Sequence, residues 1–215
     1  MIVSFNTDKI EDYKLFLKIK SLPSYKVTGR TAEFPDEYAS RIGIWAERTK
    51  QTDWQLSDWL FDYQRFIVDL AITKKKFAIF ADCGLGKTPM LLEFAQAANR
   101  AEPKKQTLII SPLMVVNQTC DECEKFYGFR PDVVRSSDIN EWLSGTGRIG
   151  ITNYESMNQE PEKGNLGALI LDESSMLKSH YGKWGQSILE LGKGLDWKLC
   201  CTGTPAPNDR IEYAN

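Results

Sequence analysis

Ala81-Asp82-Cys83-Gly84-Leu85-Gly86-Lys87-Thr88 is the stretch on which the fold turns. An apolar run, Phe77-Ala78-Ile79-Phe80, leads into it, and beyond Thr88 the apolar residues Met90, Leu91, Leu92, Phe94, Ala95 and Ala98 recur at helical spacing. Pro89 falls in the first helical turn, where no intrahelical N–H bond is lost. Strand, glycine loop and helix in that order make a phosphate-binding site. Gly84 and Gly86 let the chain turn tightly, so that backbone N–H groups on either side of Leu85 can approach phosphate oxygens. Lys87 can reach the β- and γ-phosphates of a nucleoside triphosphate, and Thr88 can ligate Mg²⁺. The loop departs from the usual pattern at its first position, where Ala81 replaces glycine. A glycine turn that binds nothing is the alternative; the Lys-Thr pair and both flanks weigh against it.

A second half of a nucleotide site lies downstream, at Ala168-Leu169-Ile170-Leu171-Asp172-Glu173. Four apolar residues ending in two acids read as a buried strand that delivers carboxylates to its C-terminal tip. Asp172 is placed to hold the Mg²⁺, and Glu173, facing the other way, to polarise the attacking water. By itself the segment could equally be an ordinary strand end with solvated acids. Candidate strands recur at 77–81, 107–111, 132–135, 149–152, 168–172 and 198–202, separated by helical stretches at 64–73, 87–100, 115–127, 139–143 and 184–191. That alternation predicts an α/β fold, a parallel sheet covered on both faces with its ligand at the C-terminal strand ends.

Further segments carry a resemblance to a known family, the superfamily 2 helicases and within them the SWI/SNF-like double-stranded DNA translocases, over roughly residues 60 to 210. Asp62-Tyr63-Gln64-Arg65 resembles the glutamine motif, which implies that Gln64 reads adenine. Leu108-Ile109-Ile110-Ser111-Pro112-Leu113 is similar to motif Ia, and Ile151-Thr152-Asn153-Tyr154-Glu155-Ser156 to motif Ib/Ic, which implies DNA-backbone contacts around Ser111, Thr152 and Asn153. Leu171-Asp172-Glu173-Ser174-Ser175 resembles motif II, with Lys178 where relatives often carry a basic residue. Cys201-Thr202-Gly203-Thr204-Pro205-Ala206-Pro207-Asn208 resembles motif III, which implies that Thr202, Gly203 and Thr204 couple the ATP site to the DNA groove. The resemblance implies a RecA-like P-loop lobe of three layers at 61–215, an ATP-hydrolysing motor with Lys87 and Glu173 as its catalytic pair, and duplex DNA as partner. It also implies a second RecA-like lobe carrying motifs IV to VI and the arginine finger, beyond Asn215. Ser175 stands where many relatives have a histidine, and the single histidine, His180, lies five residues later and reads as a surface side chain.

Residues 1–60 fall outside that pattern and read as a small accessory module, with Leu15 to Ile19 helical and Tyr25 to Thr28 extended. Its tryptophans, Trp45, Trp54 and Trp59, are expected to pack rather than stack on bases. Lys and Arg total 27 against 29 Asp and Glu, a formal charge of −2, so no global field drives the chain onto nucleic acid. Any DNA track must be local. The chain lacks an apolar run near the ~20 residues of a membrane span, and its start, acidic at Asp8, Glu11 and Asp12, has no secretion signal. Of five cysteines, Cys120 and Cys123 form a C-x-x-C pair on one helix without a second pair or a suitable histidine, so reduced core thiols are expected rather than zinc. These features point to the cytoplasm. Two other functions stay open here: a non-catalytic ATP-binding interaction module, and a P-loop enzyme of other chemistry such as a small-molecule kinase.

Overall fold

The computed structural model describes residues 1–6, 9–43, 54–177 and 183–205. The chain forms two compact units, Met1–Gln51 and Thr52–Asn215. In the first, strand β1 (Ile2–Ser4) is followed by helix α1 (Ile10–Lys20), β2 (Lys26–Thr28) and β3 (Thr31–Glu33), and β3 pairs antiparallel with both other strands. One face of this small sheet and the inner face of α1 enclose Ile19, Leu22, Ala32 and Phe34, joined by Ala39 and Ile42 from a 3-10 turn. The sequence reading anticipated the helix and β2. It missed β1 and β3, because three-residue strands carry too little period-2 pattern to register.

The second unit contains helix α2 (Asp62–Lys74), β4 (Lys76–Phe80), α3 (Lys87–Ala101), β5 (Gln106–Ser111), α4 (Val116–Tyr127), β6 (Asp132–Val133), α5 (Ile139–Leu143), β7 (Ile149–Asn153), β8 (Leu166–Leu171), α6 (Lys183–Gly192) and β9 (Trp197–Thr202). Among the described residues the six strands β4 to β9 form one sheet in the order β4-β9-β8-β5-β7-β6, and every pairing is parallel. Strand residues alternate between two cores, as successive side chains must. Ile109, Ile151, Ala168, Ile170 and Leu199 meet α2, α3 and α4 through Val68, Met90, Leu91, Phe94 and Cys120. Leu108, Ile110, Leu169 and Leu171 meet α5 and α6 through Ile139, Leu143, Ile188 and Leu191. The result is the expected three-layer α/β fold, its strands apolar on both faces because both are covered. Among the described residues no helix is long and apolar enough to cross a membrane.

The stretch that precedes α2 is fastened to α3. Glu93, fully buried in the middle of α3, accepts hydrogen bonds from Trp54 Nε1 at 2.9 Å and from the backbone N–H of Ser57 at 3.0 Å. Trp59 stacks on Phe126 of α4 with ring centroids 4.7 Å apart. Trp54 and Trp59 therefore pack, as expected; Trp45 lies outside the described residues. Cys120 and Cys123 are buried in the α4 core, where burial pushes both thiols up, Cys123 to about 12, and they are free. Among the described residues no cluster of His, Cys, Asp and Glu gathers three metal ligands around them.

Beside the edge strand β6, Gly150 of β7 lies under the indole of Trp142, whose Nε1 donates to Asp132 Oδ2 at 2.9 Å. A Cβ at position 150 would run into that ring. Gly150→Ala is expected to lower stability by about 1–3 kcal/mol through overpacking, seen as a lower urea midpoint with an unchanged denaturant slope.

Candidate nucleotide site

The phosphate loop joins the C-terminal tip of β4 to the first turn of α3. Gly84 (φ 81°) and Gly86 (φ 66°) both sit in the left-handed region, which explains why glycine is required at each. At Gly86 there is a second reason: a Cβ would collide with the Gln64 amide nitrogen. Ala81, the unusual first residue, is not held at positive φ and is 8% exposed, its methyl packed in the α3 core. Alanine therefore fits where a left-handed residue is not needed. The loop is exposed from Asp82 to Leu85 and leads into the α3 N-terminus, whose first N–H groups have no acceptor within the helix, a ready environment for an anion. Lys87 and Thr88 occupy the first helical turn, both partly buried.

Asp172 and Glu173 follow β8 at the same end of the sheet. The Asp172 N–H donates to Ile110 O at 2.8 Å, Ser111 Oγ donates to Asp172 Oδ2 at 3.0 Å, and Tyr154 OH donates to Asp172 O at 2.7 Å. Burial holds the Asp172 carboxyl above the usual carboxylate range, opposed by the Ser111 hydrogen bond and the Lys87 charge and reinforced by the neighbouring Glu173. Glu173 has φ 49°, a left-handed conformation that costs a non-glycine residue of order 1–3 kcal/mol. This turn brings its carboxylate back to the loop. Glu173 Oε1 lies 3.4 Å from Lys87 Nζ, which also donates to Ala81 O at 3.2 Å. Glu173 Oε2 accepts from Thr202 Oγ1 at 3.1 Å, and the Thr204 N–H in turn donates to Thr202 Oγ1 at 3.1 Å. A Cβ on Gly203 would stand 3.4 Å from Ala81 O and 3.5 Å from Lys87 Nζ, so the turn after β9 lies directly beside the loop. Thr204 Oγ1 is 3.5 Å from Ser175 Oγ, a long hydroxyl contact at the position where relatives were expected to have histidine. Lys87, Glu173, Thr202, Gly203 and Thr204 thus form one connected group.

Gln64 departs from its expected geometry. It is 4% exposed, its Oε1 accepts the Phe61 N–H at 3.0 Å, and its Nε2 donates to Leu85 O at 3.4 Å and Gly86 O at 3.3 Å. Both ends of the carboxamide are engaged by backbone, so it braces the phosphate loop against the start of α2 instead of facing a base. The surface beside the loop is aromatic. Phe61 is 67% exposed and lies parallel to the Tyr63 ring, 5.9 Å between centroids and 9° between planes, while Tyr63 OH donates to Leu85 O at 3.2 Å. The sequence reading missed this pair; two aromatics flanking Asp62 immediately before a helix were the available signal. It also missed Glu93, whose signal was an acid set between Leu92 and Phe94 on an apolar helix face.

The expected DNA-facing hydroxyls require correction. Ser111 is 0% exposed and holds Asp172, and Thr152 is 1% exposed and donates to Val134 O at 2.7 Å and to Ser156 Oγ at 2.8 Å. Parallel strands covered on both faces bury even their last side chains, so neither hydroxyl can reach a phosphate as the structure stands. Asn153 caps the following 3-10 turn, its Oδ1 accepting the Ser156 N–H at 3.0 Å. Lys178, Ala206, Pro207, Asn208 and His180 lie outside the described residues. What these strand ends do expose is an apolar 3-10 turn with Leu113 and Met114, Met114 almost completely.

A parallel sheet with a glycine phosphate loop on one strand and an Asp-Glu pair on the next strand but one defines a P-loop lobe of RecA type. Residues 63–215 match the family model described as SNF2-related domain, and the chain belongs to that family of helicase-like ATPase domains. Among solved structures it is similar to the Sulfolobus solfataricus SWI2/SNF2 ATPase core in complex with dsDNA, at 20% identity and a TM-score of 0.59, over 74% of this chain and 36% of that one. It is similar also to T4 UvsW (16% identity, TM-score 0.58, 70% and 32% of the two chains) and to the Pyrococcus furiosus Hef helicase domain (12%, 0.57, 71% and 34%). These likenesses establish the fold, and the chain spans about a third of the length of each. No curated protein sequence matches it.

Asp172 binds its proton more tightly folded than unfolded, so stability falls as pH rises from the ordinary carboxylate range to the raised folded value and is level above it. In chelator-containing buffer Asp172→Asn is expected to remove that fall. Its urea midpoint should exceed the parent's at about pH 7 and converge with it near about pH 3, below the ordinary carboxylate range. A variant less stable than the parent at neutral pH would mean that Ser111 and Lys87 outweigh burial.

Proposed function

We propose that this chain is the first motor lobe of an ATP-driven translocase on duplex DNA. The observation that carries the reading is the meeting of Lys87, Glu173 and Thr202 at one strand edge, since it joins the phosphate loop, the acid pair and the post-β9 turn in a single hydrogen-bonded group. Family membership and the dsDNA complex of the Sulfolobus relative support it.

The residues suggest how the lobe acts on a nucleoside triphosphate. The α3 N-terminus and the backbone at Gly84, Leu85 and Gly86 receive the phosphates, and Lys87 gives up Glu173 as partner in favour of the β- and γ-phosphate oxygens. Thr88 and Asp172 offer hard oxygen donors that suit Mg²⁺, which would neutralise phosphate charge there. Ser111 fixes the Asp172 carboxylate for that task. Freed from Lys87, Glu173 takes the role of orienting water, and because Thr202 holds its other oxygen, the change is passed to Gly203 and Thr204. The exposed Phe61–Tyr63 surface is the flat apolar face available for the base, while Gln64 acts by bracing the loop; reading adenine directly would require Gln64 to release Phe61 or the loop carbonyls. The arginine finger is assigned to a second lobe.

The isolated chain is therefore expected to bind a fluorescent ATP analogue with Mg²⁺ and to hydrolyse ATP slowly, since a missing arginine finger is worth about 10³ to 10⁵ in rate. Lys87→Ala should abolish binding, and Gln64→Ala should weaken ATP and GTP alike. Full helicase-like turnover by residues 1–215 alone would overturn the two-lobe reading, and selective loss of ATP in Gln64→Ala would return that residue to base reading.

DNA affinity of the lobe alone is expected to be weak, indifferent to sequence and steeply salt-dependent, because with Ser111 and Thr152 buried the contacts fall to backbone N–H groups and surface charges at the strand ends. Fluorescence anisotropy with a short duplex at two salt concentrations measures this; sequence-selective or salt-independent binding contradicts the proposal.

A further inference from the structure

Glu93 stands in the middle of α3, between the buried Leu92 and Phe94, and is itself 0% exposed. Its partners are neutral donors, Trp54 Nε1 at 2.9 Å and the Ser57 N–H at 3.0 Å. Taking a carboxylate out of water is costly, and an apolar side chain of similar size would fill the same space without that cost. The acid is therefore explained by what it holds.

Ser57 is gripped from two sides. Its N–H goes to Glu93 of α3, and its carbonyl accepts Arg65 Nη1 of α2 at 3.2 Å. Arg65 follows Gln64, whose Nε2 donates to Leu85 O and Gly86 O, and Tyr63 OH donates to Leu85 O. A series of hydrogen bonds thus runs from the middle of α3 through Ser57 and the first turn of α2 to the phosphate loop. A second link runs beside it. Trp59, two residues past Ser57, stacks on Phe126 and meets the Tyr127 ring edge-on, 5.3 Å between centroids. Burial and the neighbouring Glu93 charge push the Tyr127 hydroxyl up, so it keeps its proton and donates to Pro89 O at 3.2 Å, two residues past Lys87.

We propose that Glu93 is a positioning residue for the nucleotide site: from about 9 Å along α3 it fixes the segment from Trp54 to Ser57, which steadies the first turn of α2 and through it the phosphate loop. This role rests on the reading of that loop as a nucleotide site. The body of α2 is anchored in the core by Val68, Ala71 and Ile72 whatever happens at Glu93. Loosening the segment is therefore felt at the first turn, where Tyr63 and Gln64 touch the loop.

Glu93→Gln tests this, because it keeps the volume but turns one acceptor into a donor that opposes either Trp54 Nε1 or the Ser57 N–H. Cys83, the exposed cysteine of the five, lies in the loop and can carry a spin label on the nucleotide-free chain. Glu93→Gln should raise the label's mobility, and in the unlabelled chain it should weaken a fluorescent ATP analogue with Mg²⁺ by about three- to tenfold, the worth of one hydrogen bond. Added to Gln64→Ala it should cost little more, since its route to the loop is already cut. Trp54→Phe removes the opposing donor, lets the remaining acceptor turn to Ser57, and should recover most of the loss. Unchanged label mobility, an affinity loss as large in the Gln64→Ala background as in the parent, or no recovery with Trp54→Phe would each overturn the proposal. Failure of the parent chain to bind the analogue would instead overturn the nucleotide reading, and the label would still decide whether Glu93 positions the loop.

Discussion

The insertion of β9 between β4 and β8 is the constraint on which the rest of the site depends. Its parallel register sets Phe80 beside Thr202 on one side and Leu171 beside Cys200 on the other. The phosphate loop and the acid pair, far apart in sequence, are thereby separated by one strand at the same sheet edge. The gap is about two strand spacings, roughly 10 Å, and Lys87 spans it only because Glu173 bends back toward the loop. A left-handed Glu173 is the local strain that this closure requires, and the Lys87 ion pair with the Thr202 hydrogen bond offsets it. The free lobe thus holds Lys87 and Glu173 against each other at the phosphate loop.

Behind that edge the polar residues support the site without reaching solvent. Ser111 and Tyr154 fix the carboxylate and the carbonyl of Asp172, and Thr152 fixes Val134 and Ser156. Burial raises Asp172 above an ordinary carboxylate, so its neighbours keep in place a group that the fold alone would rather protonate. On the other side of the loop, Gln64 and Tyr63 tie α2 to Leu85 and Gly86, and Glu93 ties Trp54 and Ser57 to α3. The segment before α2 is therefore part of the loop's mechanical support. A substitution at Glu93 would reach the phosphate loop through that connection, though Glu93 lies six residues beyond Lys87 along α3.

The sequence by itself determined the class of fold and the identity of the phosphate loop. Both are local: the strand, loop and helix from Phe77 to Ala98 follow from glycine's conformational freedom and from apolar periodicity, and the later strands are continuous apolar runs. Asp172 and Glu173 could be read from a run that ends in acids. The spans of the long helices were legible too, with Pro89 in the first turn of α3, while the left-handed Gly128 that closes α4 is seen only in the structure. Tertiary structure decided everything that depends on which strand lies beside which. Strand order is set by packing of both sheet faces, which leaves no mark at any one position, so the closure of Thr202 onto Glu173 was out of reach of the sequence. The same reason separates the polar residues by role. Ser111, Thr152, Gln64 and Glu93 look like surface chemistry when read along the chain, and only the layers above and below the sheet turn them inward, where their hydrogen bonds hold the site instead of meeting a ligand.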